Sequence, residues 1–149
     1  MIDSLNQETT IDRDLLRRIE QDPFAQSLGI ETLSVAPGYA EVRMRLKPHM
    51  ANAHGIPHGG VIFSLADTAF ALASNAHGVI SVGLDVSITF CRAAVIGSQV
   101  LGYATEKNLT RHTGLYELKI VDENHNLIAQ AQGTVYRTNK PIIQPTDTP

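Results

Sequence analysis

The stretch Gly59-Gly60-Val61-Ile62-Phe63-Ser64-Leu65-Ala66-Asp67-Thr68-Ala69-Phe70-Ala71-Leu72-Ala73 decides how this chain is read. From Gly59 to Leu84, Asp67 is the only residue of formal charge. The pattern predicts a helix from about Gly59 to Asn75, with Gly78 as its stop. A helix that is apolar nearly all round has to be enclosed by other structure. A carboxylate inside it is costly unless it is paired, hydrogen-bonded or lining a solvated site. His58 and two glycines precede the helix, so its start offers unpaired N–H groups on backbone that a ligand can approach closely. An anion-stabilising helix end and a tuned carboxylate thus share one short element, which marks the core of an active site.

Outward from this helix the period changes. Glu31 to Val35 and Tyr39 to Leu46 are strand-like around a Pro37-Gly38 turn. The second run alternates, with Val42, Met44 and Leu46 opposite Glu41, Arg43 and Arg45. Residues 47–57 form a loop broken by Pro48, Gly55 and Pro57. Four strand-like runs follow the helix: Ile80 to Phe90, Val100 to Lys107, Leu115 to Val121 and Ile128 to Arg137. In the first, Leu84, Val86, Ile88 and Phe90 share a face. A single long helix cannot supply parallel crossovers for five or six strands, so the sheet is mainly antiparallel with the helix on one face. The class is α+β. Asp12 to Gln21 is expected as a short helix ending before Pro23. Residues 1–10 and 142–149 are expected as flexible ends of one domain spanning 1–149.

Composition excludes several functions. The 149 residues carry a formal charge of −3, with 43% hydrophobic and 18% charged residues. No basic field is available for nucleic acid and no polybasic arm for a membrane. The 59–84 stretch is interrupted by Asp67, Asn75 and His77, so it reads as a buried helix and strand rather than a membrane span. The first 22 residues carry charge throughout and no apolar secretory core. Cys91 is the only cysteine, which rules out an intrachain disulfide and fits a reducing compartment. A cytoplasmic location is expected.

His58-Gly59-Gly60, followed by Ser64-Leu65-Ala66-Asp67-Thr68-Ala69, resembles the signature of hotdog-fold acyl-CoA thioesterases of the phenylacetate-degradation type. Asn52 before the motif and Leu28-Gly29-Ile30 leading into the first strand extend the likeness over most of the chain. The resemblance implies a hotdog fold, five to six strands wrapped around one long central helix. It implies that Asp67 activates water or attacks the thioester, and that the Gly59 amide polarises the carbonyl. Asn52 and His58 would line the same site, with Gly60 and Thr68 as substrate contacts. The implied reaction is hydrolysis of acyl-CoA, with aryl-CoA such as phenylacetyl-CoA or its hydroxylated derivatives as substrate, to free acid and coenzyme A. No cofactor is implied, coenzyme A being part of the substrate.

One physical argument stands beside the resemblance. Asp67 lies eight residues after Gly59, about 12 Å along a helix axis at about 1.5 Å per residue. One thioester carbon cannot be within bonding reach of Asp67 and beside Gly59 of the same straight helix. If both act on one carbonyl they come from different subunits, and a homodimer is the smallest active unit. Tetramers are common in the family resembled.

Other candidates have plainer readings. His49, His54 and His58 invite a metal, but Gly55 and Pro57 break the spacing and no acid or cysteine completes a ligand set, so no metal is expected. Among Arg92, Lys107, Arg111 and His112, Lys107 and Arg111 are favoured as contacts for the coenzyme A phosphates. Phe63, Phe70 and Leu72 are candidates for the pocket wall. Two other functions compete. A hotdog dehydratase or hydratase would use His58 and Asp67 as a proton-transferring pair. A non-catalytic acyl-CoA sensor would need a DNA-reading module, and residues 1–28 offer one short helix.

Overall fold

A computed structural model describes residues 10–144. Two short helices, α1 (Arg13–Ile19) and α2 (Pro23–Leu28), precede the strands β1 (Glu31–Ala36) and β2 (Tyr39–Arg45). A 3-10 turn over Pro48–Met50 leads to the long helix α3 (Gly59–Asn75). Four strands follow: β3 (Val79–Phe90), β4 (Gln99–Leu109), β5 (Thr113–Asp122) and β6 (Leu127–Pro141).

The helix expected before Pro23 is α1, but the proline opens a second helix. Asp22 caps α2, its carboxylate accepting the Ala25 N–H at 3.0 Å, and Pro23 fits the first turn because its missing N–H would have had no partner. Gly29, at φ +71°, closes α2 in the left-handed conformation that glycine adopts freely.

All the strand pairs are antiparallel, in the order β1-β2-β4-β5-β6-β3. This is the hotdog arrangement of one sheet around a central helix. Leu65, Ala66, Ala69, Phe70 and Ala73 of α3 are buried with Val42, Met44, Val100, Leu118, Ile120 and Val135 of the sheet. Phe70 lies against Gly133, where an added Cβ would come within 2.8 Å of the ring, and meets Tyr116 edge-on at 5.4 Å between centroids. Phe70 is therefore a core residue rather than pocket wall, because the sheet bends over it where glycine leaves room. Leu72 is also buried, at a small crevice against α2.

In β3 the expected alternation holds for Val86 and Ile88, which pack on the core, but not for Leu84. The register against β6 shifts between Gly83 and Asp85, and the extra residue leaves Leu84 61% exposed. The last strand extends past the expected Arg137. β6 runs through Pro141, and the Ile142 N–H donates to the Gly78 carbonyl at 3.0 Å. The remainder of the flexible-end expectation, over residues 1–9 and 145–149, lies outside the described residues. Among the described residues no helix is long and apolar enough to cross a membrane.

Candidate active site

The loop before α3 is held by its own backbone. Ala51 bridges to Pro57, the Asn52 N–H donates to the Ile56 carbonyl at 2.8 Å, and the His58 N–H donates to the Met50 carbonyl at 2.8 Å. The Asn52 side-chain oxygen accepts N–H bonds from His54 (2.8 Å) and Ile56 (3.4 Å). Its amide nitrogen has no partner among the described residues, so Asn52 fixes the loop with one end and keeps two donors unused at the other.

His58 is the N-cap of α3. Its Nδ1 accepts the Gly60 N–H at 2.8 Å. A ring nitrogen that accepts carries no proton, so the imidazole is neutral with its proton on Nε2. A Cβ at position 60 would stand 3.0 Å from that same nitrogen, so a larger residue there would press on the capping ring. The Val61 N–H returns to the His58 carbonyl at 3.0 Å. Among these first N–H groups, that of Gly59 has no partner among the described residues. An unpaired donor at the positive end of a long helix is poised for an oxyanion.

A cleft of about 300 Å³ opens beside it, lined by Asn52, Gly59, Ile62, Phe90, Arg92 and Ile128 among others. Phe90 forms a wall over Gly59, its ring 3.3 Å from where a Cβ would stand. The structure thus brings Asn52, His58, Gly59 and Gly60 together at one helix end.

Asp67 is elsewhere. It lies on the solvent-facing side of α3 with Gly60 and Ala71, and it does not line the Gly59 cleft of its own chain. Thr68 does not satisfy the Asp67 carboxylate. Thr68 Oγ1 donates to the Ser64 carbonyl at 2.8 Å, Ser64 Oγ to the Gly60 carbonyl at 2.7 Å, and the Asp67 carboxylate has no hydrogen-bond or ion-pair partner among the described residues. Solvent reaches it in the single chain, yet the surrounding protein still costs it hydration. Burial first, and the Asp22 carboxylate second, hold its pKa above the ordinary value. The sequence reading did not single out Asp22; it is the N-cap of α2, and lies close enough to the Asp67 carboxylate to act on it. It lines a crevice with Thr68 and Ala71, which follow Asp67 by one and four residues on α3.

The two favoured phosphate contacts lie apart from this cleft. Lys107 pairs with Glu117 at 3.4 Å, and Arg111 is exposed in the turn between β4 and β5. Arg92, at the end of β3, is the cation lining the Gly59 cleft. His49 and His54 are exposed, and among the described residues no group of three metal-ligating side chains is gathered.

The sequence profile of the thioesterase superfamily matches residues 54–129, which contain the helix end, α3 and the strands around it. The acyl-coenzyme A thioesterase PaaI of Escherichia coli is 36% identical over 118 residues, covering 79% of this chain and 84% of its own. A solved structure of E. coli PaaI, from the phenylacetic acid degradation operon, superposes with a TM-score of 0.83 at 32% identity, over 89% of this chain and 99% of that one. A mutant of the phenylacetic acid degradation protein PaaI of Thermus thermophilus gives 0.75 at 40% identity, over 78% and 99%. A Streptococcus mutans protein solved with acetyl-CoA bound gives 0.72 at 25% identity, over 75% and 90%. With its six-stranded sheet, its central helix and its His58-Gly59-Gly60…Asp67 pattern, the chain belongs to the thioesterase superfamily, as a PaaI-like hotdog acyl-CoA thioesterase.

Proposed function

We propose that the protein hydrolyses aryl-CoA thioesters in a homodimer whose active sites each combine Gly59 of one subunit with Asp67 of the other. The observation that carries this reading is a pair of unsatisfied groups on one helix. Among the described residues the Gly59 N–H and the Asp67 carboxylate both lack partners, and they are about 12 Å apart along the axis at about 1.5 Å per residue.

A two-fold axis that sets two copies of α3 antiparallel removes the distance problem. β3 supports such an axis. It is an edge strand of 12 residues whose outer main-chain groups have no strand partner among the described residues, with Val82 and Leu84 48% and 61% exposed. A long apolar edge of this kind is a template for pairing with another strand. An antiparallel β3–β3 pair would also bring the exposed faces of the two α3 helices together.

In the shared site the thioester oxygen accepts from the Gly59 N–H, with Asn52 and His58 Nε2–H as further donors. Asp67 takes a proton from water, the hydroxide oxygen adds to the thioester carbon, and the negative charge moves to the carbonyl oxygen. Collapse restores the C=O, breaks the C–S bond and expels coenzyme A as thiolate, which takes up a proton. A raised pKa makes Asp67 a better proton acceptor than an ordinary carboxylate. The aryl preference rests on the relatives from phenylacetic acid degradation, and coenzyme A as the carrier on the acetyl-CoA complex of the Streptococcus mutans neighbour. The lone Cys91 supports a reducing, cytoplasmic setting.

His58 weighs against the dehydratase reading. A ring that caps the helix through Nδ1 cannot be protonated there without releasing the first turn. The test is a panel of aryl- and alkyl-CoA substrates with a thiol reagent. Fastest release from phenylacetyl-type substrates is expected. Faster release from alkyl-CoA would remove the aryl assignment, and no release from any would remove the hydrolytic one.

A further inference from the structure

We propose that the coenzyme A portion of the substrate leaves the Gly59 cleft over the Cys91–Arg92 end of β3, with Arg92 holding its phosphates and a polar hollow on the outer face of the sheet receiving the nucleotide. The inference rests on the thioesterase reading above and assigns a path and a binding residue that it lacks.

Cys91 lines two cavities. One is the cleft of about 300 Å³ at Gly59, which also contains Phe90 and Arg92. The other is a hollow of about 560 Å³ on the sheet face away from α3, lined by Ser87, Thr89, Lys107, Glu117, Gln130 and Gln132 among others. The strand end is therefore the rim between a mainly apolar cleft, where the thioester sits, and a larger polar space. That division matches a molecule with a reactive acyl end and a charged nucleotide end.

Arg92 is exposed, lines the cleft and has no ion pair among the described residues. Its main chain is fixed, the N–H donating to the Ile128 carbonyl at 3.2 Å, so an exposed cation stands on a held strand end. A guanidinium of this kind suits bidentate contact with phosphate oxygens. The acid nearby in charge is Asp122, whose pKa is lowered first by Asn126 and last by Arg92. In the hollow, Glu117 is matched by two lysines, Lys107 at 3.4 Å and Lys119 at 3.3 Å. Lys107 thus contributes to a cationic surrounding, but with its charge already shared.

Arg92→Gln and Lys107→Gln should be compared with wild type on an acyl-CoA and on the matching acyl-pantetheine, which lacks the nucleotide and its phosphates. For Arg92→Gln, the ratio of KM for acyl-CoA to KM for acyl-pantetheine should rise about tenfold, while the loss leaves kcat for acyl-CoA within about twofold. Lys107→Gln should move the ratio about threefold or less. An unchanged ratio for Arg92→Gln, or equal losses on both substrates, would overturn the path. Calorimetric titration of wild type and variant with free coenzyme A separates this from the parent reading. Selective weakening of coenzyme A by Arg92→Gln supports the path even if no thioester is hydrolysed, and equal affinity overturns it even if hydrolysis is fast.

Discussion

The two halves of α3 treat their polar groups in opposite ways. Beyond Asp67 every one is closed off. Ser74 Oγ donates to the Phe70 carbonyl at 2.8 Å, and the Asn75 side chain donates to the carbonyls of Ala71 (2.9 Å) and Ser81 (3.1 Å) while accepting the Ser81 N–H (3.0 Å). Past the helix end, the His77 ring and the Tyr116 hydroxyl each meet Glu106 Oε2 at 2.6 Å. That burial and the Glu106 bond push the Tyr116 hydroxyl pKa well up, so it stays a donor. From His58 to Asp67, by contrast, the Gly59 N–H and the Asp67 carboxylate are left without partners among the described residues. Buried polar networks stabilise only when complete, whereas catalysis needs groups held in place and unpaired until substrate arrives. On the mechanism proposed above, the same helix is an anchor at one end and a tool at the other.

The sharpest way to break the comparison is Asp67→Asn. Turnover should fall at least about a hundredfold, the scale of a lost general base, with the circular dichroism spectrum unchanged. Its stability should move the other way. Because the folded-state pKa of Asp67 is raised, the native state favours the protonated form. That contribution is complete below the ordinary carboxylate pKa and is lost as pH rises through the raised value. Thermal melts near neutral pH should therefore place the variant at or above wild type, and a clear drop would show that the carboxylate is structural. In wild type the acid limb of the kcat profile should lie at higher pH than an ordinary carboxylate gives.

Gly59→Pro comes next. It removes the donor but is compatible with a helix start, so about 2.7–4 kcal/mol of transition-state stabilisation should be lost. A folded variant with unchanged turnover would move the oxyanion site. The closed half should respond through stability instead. Asn75→Ala strands the Ser81 N–H, a cost of about 1–3 kcal/mol, with kcat near wild type. Tyr116→Phe, the smallest, removes one of two bonds to Glu106 and should cost about 0.5–1.5 kcal/mol in a denaturant titration. A large kcat effect at Asn75 or Tyr116 would mean that the halves are not separate.

Much of this was readable before the fold was known. The bounds of α3 follow from its apolar run and from glycines at both ends, and β2 shows its alternation directly. The motif residues Asn52, His58 and Gly59 gather at the helix start as the family resemblance implied, because a short loop and a helix start leave little freedom. Three things escaped. α2 was hidden because Pro23 reads equally as a stop and as a first helical residue. Leu84 was misplaced because a bulge changes phase without changing composition. Strand order was silent, since alternation identifies strands but not neighbours, and only pairing puts β3 at the edge and Arg92 rather than Lys107 beside Gly59.

The unpaired edge of β3 has a consequence in mass action. If each site needs two chains, activity per chain is set by the dimer population and falls on dilution towards the dissociation constant. Substrate bound across the junction would pull that equilibrium back, so dilution curves should shift with ligand concentration. Mixing has a fixed arithmetic too. In a heterodimer of Asp67→Asn and Gly59→Pro chains, one site carries both defects and the other carries neither. Random exchange makes half the dimers mixed, so an equal mixture should regain about a quarter of wild-type activity from two nearly inactive parents. Two faults on one helix would then complement each other because, in the assembled enzyme, they belong to different active sites.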